Sequence, residues 1–246
     1  MNVAVINPFS LEGKTILVTG ASSGLGQHIA ARCAARGARM IITGRDKERL
    51  QATYDQLQGK GHVQVLADLT SEEDRHRLVS TVPELNGLMH CAGMQKHCPV
   101  RQLSEQLMTE MYNINFLAPV MLTQGLLKTN AIAQQGSILF MLSTAAHIGT
   151  RGLAPYSAMK SGLIGIIKCL ALEQAKRKIR VNGISPSAIA TPMWDAHQAQ
   201  LEEQKARHPL GLGTPDDVAN GVIYMLSDAS RWVTGTSLVM DGGAVI

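Results

Sequence analysis

The chain has 246 residues, of which 45% are hydrophobic and 17% are charged. This length and composition suffice for a large buried core. The net charge of +4 comes from dispersed Lys and Arg residues, which argues against nucleic-acid binding. No stretch approaches 18 apolar residues, and the N-terminus lacks a basic segment followed by an apolar run. We therefore expect a soluble, cytoplasmic protein that does not bind a membrane.

The four cysteines show neither a C-x-x-C pair nor the spacing of metal ligands. We therefore expect reduced thiols and no metal site. Cys33 and Cys169 lie in apolar helical patterns, which favours buried structural thiols.

Short apolar runs alternate with helical patterns along the whole chain. Seven runs are predicted strands, at residues 14–19, 39–43, 62–66, 87–91, 137–142, 179–184 and 237–240. The longest predicted helices cover residues 104–128 and 156–174. The alternation predicts one α/β domain over residues 1–246, with a parallel sheet covered by helices on both faces. We expect residues 1–12 to be a loose lead-in and residues 187–213 to be a loop that carries a helix.

A glycine-rich turn, Thr19-Gly20-Ala21-Ser22-Ser23-Gly24-Leu25-Gly26, joins the first strand to the first helix. Glycines let the backbone turn sharply and approach a pyrophosphate, whose charge the helix N-terminus favours. The spacing Gly-x-x-x-Gly-x-Gly departs from the usual Gly-x-Gly-x-x-Gly, so a merely structural turn is the alternative. We expect a dinucleotide site in a doubly wound sheet of the Rossmann type.

Tyr156 and Lys160 are four residues apart on a predicted helix and therefore share one face. A lysine ammonium one turn away favours the phenolate and is expected to lower the pKa of Tyr156 towards neutrality. Such a pair by itself often marks only a helix surface. Ser143 stands at the end of a strand, however, which is where α/β folds place their chemistry.

The whole pattern resembles the short-chain dehydrogenase/reductase family, from about Leu11 to Gly243. The family's Thr-Gly-x-x-x-Gly-x-Gly stands at residues 19–26, its serine thirteen residues before the tyrosine is Ser143, and its Tyr-x-x-x-Lys is Tyr156 to Lys160. Its helical asparagine corresponds to Asn115. Residues 179–186 and the tail Val233-Thr234-Gly235 with Asp241-Gly242-Gly243 also match. Within the family, the chain is most similar to 3-oxoacyl-(acyl carrier protein) reductases.

The resemblance implies hydride transfer between a nicotinamide and a carbonyl or secondary alcohol carbon. Tyr156 would exchange a proton with the substrate oxygen, which Ser143 would hold. Lys160 would also bind the nicotinamide ribose, and Asn115 would position a water that relays protons to Lys160. A 3-oxoacyl thioester is the first substrate that the resemblance implies.

The resemblance and the glycine-rich turn together assign the cofactor contacts. These residues are Gly20, Ser22, Ser23, Gly24, Leu25, Gly26, Arg45, Asp68, Leu69, Ala92, Gly93, Tyr156, Lys160, Pro186, Ile189 and Thr191. Substrate contacts are expected from Met94, Met193 and Trp194.

The end of the second strand predicts which dinucleotide binds. Relatives that prefer NAD carry an acid there for the ribose 2′-hydroxyl, whereas this chain has Gly44 followed by Arg45. The guanidinium of Arg45 can grip a 2′-phosphate. Alternatively, Arg45 is only a solvated residue and Asp46 serves the ribose, although Asp46 fits a helix N-cap. The sequence favours NADP(H) over NAD(H).

Two segments depart from the family pattern. The usual Asn-Asn-Ala-Gly is His90-Cys91-Ala92-Gly93, where His90 could supply a different hydrogen bond. The usual Pro-Gly after the sixth strand is Pro186-Ser187. We expect both departures to change local packing more than activity.

Two other readings compete with a reductase. Nucleotide-sugar epimerases and dehydratases usually show a Gly-x-x-Gly-x-x-Gly turn and a larger C-terminal domain, which this chain lacks. A non-catalytic dinucleotide sensor should have lost one of the four catalytic residues, and all four are present.

The two long predicted helices carry more small and apolar residues than one face of a monomer needs, among them Gly162, Gly165, Ala171 and Leu172. In the family these helices pair between subunits. We therefore expect a homotetramer.

Overall fold

The structure is a computed structural model that describes residues 7–190 and 198–245. Its sheet has seven parallel strands in the order β3-β2-β1-β4-β5-β6-β7. The strands are β1 Thr15–Thr19, β2 Arg39–Gly44, β3 Val63–Leu66, β4 Leu85–His90, β5 Ile132–Met141, β6 Arg180–Pro186 and β7 Ser237–Met240. This architecture confirms the predicted doubly wound sheet of the Rossmann type.

Helices cover both faces of the sheet. They are α1 Gly24–Ala35, α2 Lys47–Tyr54, α3 Glu72–Thr81, α4 Glu105–Tyr112, α5 Ala118–Lys128, α6 Ala154–Glu173, α7 Gln198–Arg207 and α8 Pro215–Leu226. One core cluster joins the sheet to α1, α2 and α8, and the other joins it to α3, α5 and α6. Within the described ranges, none of the helices is both long and apolar enough to cross a membrane.

The central strand β1 decides where a ligand can bind. Its side chains alternate between the two cores, because Ile16 and Val18 lie in one cluster and Leu17 in the other. The chain order reverses between β1 and β4, which are neighbours in the sheet. In open parallel sheets this reversal opens a crevice at the carboxyl ends of the strands.

Strand β5 begins five residues earlier than the sequence predicts. Gln135 has a φ of 63° and lies next to Gly136, and the pairing with β4 shifts register there. A Cβ at Gly136 would lie 2.9 Å from the carbonyl oxygen of Ala133. The polar residues and the glycine that indicate a loop therefore form a bulge inside the strand.

The predicted helix over residues 104–128 is interrupted. A π-helical turn, Asn113–Leu117, separates α4 from α5 and contains Asn115. Single π turns inside helices frequently mark functional sites.

Helix α6 buries one stripe of residues at four-residue spacing, which includes Leu163, Ile167 and Ala171. Cys169 is exposed because it lies off this stripe, so the prediction of a buried thiol there is wrong. Ala171 is buried within its own subunit, so it does not belong to an outward face. The N-terminal segment is also less loose than expected, since Leu11 is fully buried and its N–H donates to the Arg36 carbonyl oxygen.

Candidate active site

An open cleft of about 1070 Å³ lies at the carboxyl ends of the strands. The sequence-predicted residues that line it are Gly20, Ser22, Ser23, Leu25, Gly26, Arg45, Leu69, Ala92, Gly93, Met94, Asn115, Tyr156 and Lys160. Predicted residues that do not line it are Gly24, Asp68, Ser143, Pro186 and Ile189. Thr191, Met193 and Trp194 lie outside the described residues.

The glycine-rich turn is held against the end of β4. The Thr19 hydroxyl oxygen accepts the N–H groups of Cys91 and Ala92, each at 3.1 Å. Gly20 has a φ of 64°, and a Cβ there would stand 2.7 Å from the Ala92 backbone. A Cβ at Gly26 would overlap the Gly20 carbonyl oxygen. Only glycine fits at these two positions.

The floor of the cleft is equally restricted at Gly93, where a Cβ would meet the Asn115 side-chain oxygen at 2.8 Å. Backbone therefore lines the cleft from the turn to this floor, and the N-terminus of α1 faces it. These features fit the pyrophosphate of a dinucleotide.

A second basic residue, Arg49 on α2, lies near Arg45 and was not predicted from the sequence. Arg45 and Arg49 both line the cleft, and their side chains are 69% and 63% exposed. The carboxylate of Asp46 accepts the Arg49 backbone N–H at 3.0 Å and its Nε–H at 2.7 Å, and these bonds lower the pKa of Asp46. Asp46 is thus the N-cap of its own helix, as predicted, and its carboxylate is already occupied.

Tyr156 and Lys160 line the other end of the cleft, and Ser143 lies next to Tyr156 behind the lining. Burial raises the pKa of Tyr156 to about 12, and the neighbouring Ser143 hydroxyl opposes that rise. The expectation that Lys160 brings the pKa of Tyr156 towards neutrality is therefore wrong for this structure. The Tyr156 hydroxyl stays protonated at neutral pH and can act as a proton donor.

The ammonium of Lys160 is buried against the sheet. Its Nζ donates to the Met141 carbonyl oxygen at 2.7 Å and lies 5.5 Å from the centroid of the Tyr156 ring. Burial lowers the pKa of Lys160 to about 8. Its charge is thus present at neutral pH but is held less firmly than in water.

The Asn115 side chain ties the loop after β4 to the π-helical turn. Its oxygen accepts the Met94 N–H at 3.1 Å, and its Nδ2 donates to the carbonyl oxygens of Met94 at 3.0 Å and Met111 at 3.1 Å. Both Nδ2 hydrogens and one of the two lone pairs of the side-chain oxygen are thereby used within the protein. The relay water assigned to Asn115 stays a prediction.

Comparisons with known proteins agree over nearly the whole chain. A family model described as enoyl-(acyl carrier protein) reductase matches residues 20–245. The (2S)-[(R)-hydroxy(phenyl)methyl]succinyl-CoA dehydrogenase subunit BbsD of Thauera aromatica is 32% identical over 243 residues, which cover 95% of this chain and 97% of the relative. The 3-oxoacyl-[acyl-carrier-protein] reductase FabG of Rickettsia bellii is 33% identical over 238 residues, which cover 96% of this chain and 98% of the relative.

A dehydrogenase/reductase from Sinorhizobium meliloti has a similar solved structure, with a TM-score of 0.90 and 31% identity over 97% of this chain and 98% of that one. The chain belongs to the short-chain dehydrogenase/reductase family. It is an NAD(P)-dependent oxidoreductase that is similar to 3-oxoacyl-(acyl carrier protein) reductases.

The family's usual first asparagine is replaced by a buried, neutral His90 in this short-chain dehydrogenase/reductase. Its Nε2 lies 2.8 Å from the Thr123 hydroxyl, which itself donates to the Pro119 carbonyl oxygen. Nε2 must therefore carry the hydrogen. The ring stacks on Phe140 with centroids 4.7 Å apart, and burial lowers the pKa of His90 to about 3, with the charge of Lys160 acting in the same direction. The expectation of a different hydrogen bond at His90 is confirmed.

Cys91 takes the second asparagine's place as a small apolar residue. It packs against the core cluster that contains α1, and burial raises the pKa of its thiol to about 12. The thiol is protonated and unreactive at neutral pH. Among the described residues, no cluster of acidic, histidine or cysteine side chains could hold a metal ion.

Several lining residues of this family member gave no signal in the sequence. They come from α2, from the loop after β3 and from α4 with its π turn, and are Arg49, Thr70, Gln106, Thr109, Glu110 and Asn113. The polar face of α4 looks like an ordinary solvated helix surface in the sequence. Only the path of the chain shows that it borders the cleft.

Proposed function

We propose that this enzyme is an NADP(H)-dependent carbonyl reductase, with a 3-oxoacyl thioester as the first substrate to test. The observation that carries the proposal is the placement of a protonated Tyr156 at the cleft, with Ser143 beside it and the ammonium of Lys160 5.5 Å from its ring centroid. A protonated phenol is the form that reduction of a ketone requires. The resemblance to 3-oxoacyl-(acyl carrier protein) reductases supports the thioester.

The proposed chemistry assigns one task to each side chain. NADPH, when bound, supplies the hydride that adds to the carbonyl carbon. Tyr156 donates its hydroxyl proton to the carbonyl oxygen, which becomes the alcohol, and Ser143 holds that oxygen by a hydrogen bond. Lys160 holds the ribose hydroxyls and returns a proton to Tyr156. Asn115 places the water through which that proton arrives.

The NADP(H) preference is proposed from the charge at the end of β2. Arg45 is exposed to the cleft, and its closest carboxylate oxygen, on Asp68, lies 3.9 Å away. Asp46 is engaged with Arg49, which removes it as a partner for a ribose 2′-hydroxyl. A guanidinium without a close carboxylate partner favours a 2′-phosphate.

We further propose that residues 1–246 act as one domain and assemble into a homotetramer in the cytoplasm. Gly162, Gly165 and Leu172 are exposed on α6, and Leu172 is 80% exposed. Two-fold symmetry would bury this face. Residues 187–213, together with Met94, are proposed to shape the substrate pocket through Met193 and Trp194.

The test is NADPH oxidation with a panel of 3-oxoacyl thioesters, ketosteroids, keto sugars, small diketones and enoyl thioesters. We expect turnover with a ketone and not with an isolated carbon–carbon double bond. Tyr156→Phe should lower kcat by roughly 10²–10⁴-fold, because it removes the proton donor and keeps the ring, while the Kd for NADPH changes little. Tyr112→Phe is the matched control.

Near wild-type turnover in the Tyr156→Phe variant would contradict the proposed proton donor. Turnover with enoyl thioesters alone would instead assign the activity that the family model's description names.

A further inference from the structure

Ser187 stands where the family usually has glycine, and its side chain joins two parts of the active-site edge. Ser187 directly follows β6, and its N–H donates to the Met240 carbonyl oxygen at 3.0 Å. The hydroxyls of Ser187 and Thr144 lie 3.5 Å apart. Thr144 is the residue after Ser143, so this contact lies beside the proposed catalytic serine.

The other partner of Ser187 is His208, which follows α7. His208 is only 4% exposed. Its Nδ1 lies 2.5 Å from the Gln204 carbonyl oxygen, and its Nε2 lies 2.8 Å from the Ser187 hydroxyl oxygen. A carbonyl oxygen can only accept, so Nδ1 carries the hydrogen and Nε2 accepts the hydrogen of the Ser187 hydroxyl.

These contacts form one chain of donated hydrogens. The Thr144 hydroxyl donates to Ser187, Ser187 donates to His208, and His208 donates to the Gln204 carbonyl oxygen. The chain begins beside Ser143 and ends on the last turn of α7.

The turn after His208 supports the same loop by backbone contacts. The Ala190 N–H donates to the Gly213 carbonyl oxygen at 2.7 Å, and Ile189 forms a bridge with Gly213. The Leu210 N–H donates to the Gly242 carbonyl oxygen at 3.0 Å, which ties this turn to the chain after β7. Residues 186–190 are thus held by their backbone at both ends and by His208 in between.

We propose that His208 is a positioning residue for carbonyl reduction, acting through Ser187 to hold residues 186–190 against the Ser143–Thr144 turn. The proposal rests on the proposed reductase function, because it concerns the alignment of Ser143. With glycine at position 187 no side chain could reach His208. The hydrogen bond between Ser187 and His208 therefore requires both residues, and neither can position the loop in this way without the other.

A purely packing role would not require this arrangement. An apolar side chain at position 208 would fill the space without the cost of burying two polar groups, and a partly satisfied polar network is worse than an apolar core. Here both nitrogens of His208 have partners, so the network fixes orientation as well as filling space. A small displacement of Ser143 would matter, since misplacement by about 1 Å can cost a hundredfold in rate.

The test is a double-mutant cycle with Ser187→Gly, His208→Leu and the double variant, for which kcat, KM and the Kd for NADPH are measured. We expect each single change to lower kcat about tenfold, the worth of about one buried hydrogen bond. The double variant should be no slower than the slower single variant, because both changes break the same link. The Kd for NADPH should change less than about threefold.

Two further variants separate positioning from folding. His208→Gln keeps one donor and one acceptor, so it should recover most of the activity that His208→Leu loses. His76→Leu removes an exposed histidine from α3 and should leave kcat and KM unchanged. Rates that multiply in the double variant, or equal activity in the Gln and Leu variants, would overturn the proposal.

Hydrogen exchange distinguishes failure of this inference from failure of the reductase assignment. Ser187→Gly and His208→Leu should each speed backbone exchange in residues 186–190 and 143–147, whatever the substrate. If the wild type reduces no ketone but exchange rises in both variants, the reductase assignment fails and the link stands without its catalytic role. Unchanged exchange in an active enzyme refutes the link itself.

Discussion

The side chain of Ser22 lies against Gly44 at the end of β2. A Cβ on Gly44 would stand 2.9 Å from the Ser22 hydroxyl oxygen and 3.0 Å from its Cβ. The glycine-rich turn thus crowds any side chain at position 44, the position that corresponds to the acid of NAD-preferring relatives. The proposed choice of dinucleotide therefore depends on the packing of the turn against β2 as well as on the charge of Arg45.

Replacing Arg45 with alanine tests whether its charge determines the preference for NADP(H). Because charge-assisted hydrogen bonds contribute roughly 1.5–3 kcal/mol, Arg45→Ala should weaken NADPH about ten- to a hundredfold and leave NADH nearly unchanged. Fluorescence titration of both dinucleotides measures this. Lys47→Ala removes a nearby charge that does not line the cleft and serves as the control. Equal losses for both dinucleotides, or a wild type that binds NADH more tightly, would contradict the NADP(H) proposal.

Placing at position 44 the acid of NAD-preferring relatives tests the packing of Ser22 against Gly44. Gly44→Asp alone should weaken NADPH and NADH by at least about tenfold each, because the new Cβ must displace Ser22 and the turn that holds the pyrophosphate. Ser22→Gly combined with Gly44→Asp should recover NADH binding. Titrations of the single and double variants decide this. A single variant that binds NADH more tightly than the wild type would show that Ser22 yields without cost.

The fold and most of the cleft follow from local signals in the sequence. Apolar runs alternate with helical patterns, and the carboxyl ends of parallel strands meet at one edge of the sheet. Gly20, Gly26, Ala92 and Tyr156 are therefore brought together at the cleft, as the pattern predicts. Helix N-caps such as Asp46 can also be predicted from the sequence, because the capping hydrogen bond joins residues only three positions apart.

Features that depend on the tertiary environment could not be predicted from the sequence. The charge of Lys160 beside Tyr156 is visible in the sequence, but the burial that raises the pKa of Tyr156 is not. The link from Ser187 to His208 spans 21 residues and depends on where α7 ends. Arg49 looked like a surface helix residue until the path of α2 placed it at the cleft.

The exposed face of α6 tests the proposed homotetramer. Leu172→Asp places a charge on a side chain that is 80% exposed in the single chain, so it should shift the assembly to smaller species at micromolar concentration. Light scattering after size exclusion measures the mass. Leu210→Asp changes a leucine that is 87% exposed elsewhere and should leave the mass unchanged. A monomeric wild type would refute the proposal.

The buried ammonium of Lys160 should make stability depend on pH in a predictable direction. Burial lowers the pKa of Lys160 from 10.5 to about 8, so between these values the unfolded chain binds more protons at this site than the folded one. Stability from this group therefore rises with pH across that window, and the penalty below pH 8 amounts to roughly 3 kcal/mol.

Replacing Lys160 with methionine removes the titration and keeps most of the volume. The free energy of unfolding of Lys160→Met minus that of the wild type should fall by about 2 kcal/mol from pH 7.5 to pH 9.5, because only the wild type loses its penalty. The Met141 carbonyl oxygen loses its partner at both pH values, so that cost cancels. Urea unfolding of both proteins measures the difference, and Lys168→Met, on an exposed position of α6, is the control. A difference that is constant with pH would show that Lys160 keeps its ordinary pKa in the folded protein.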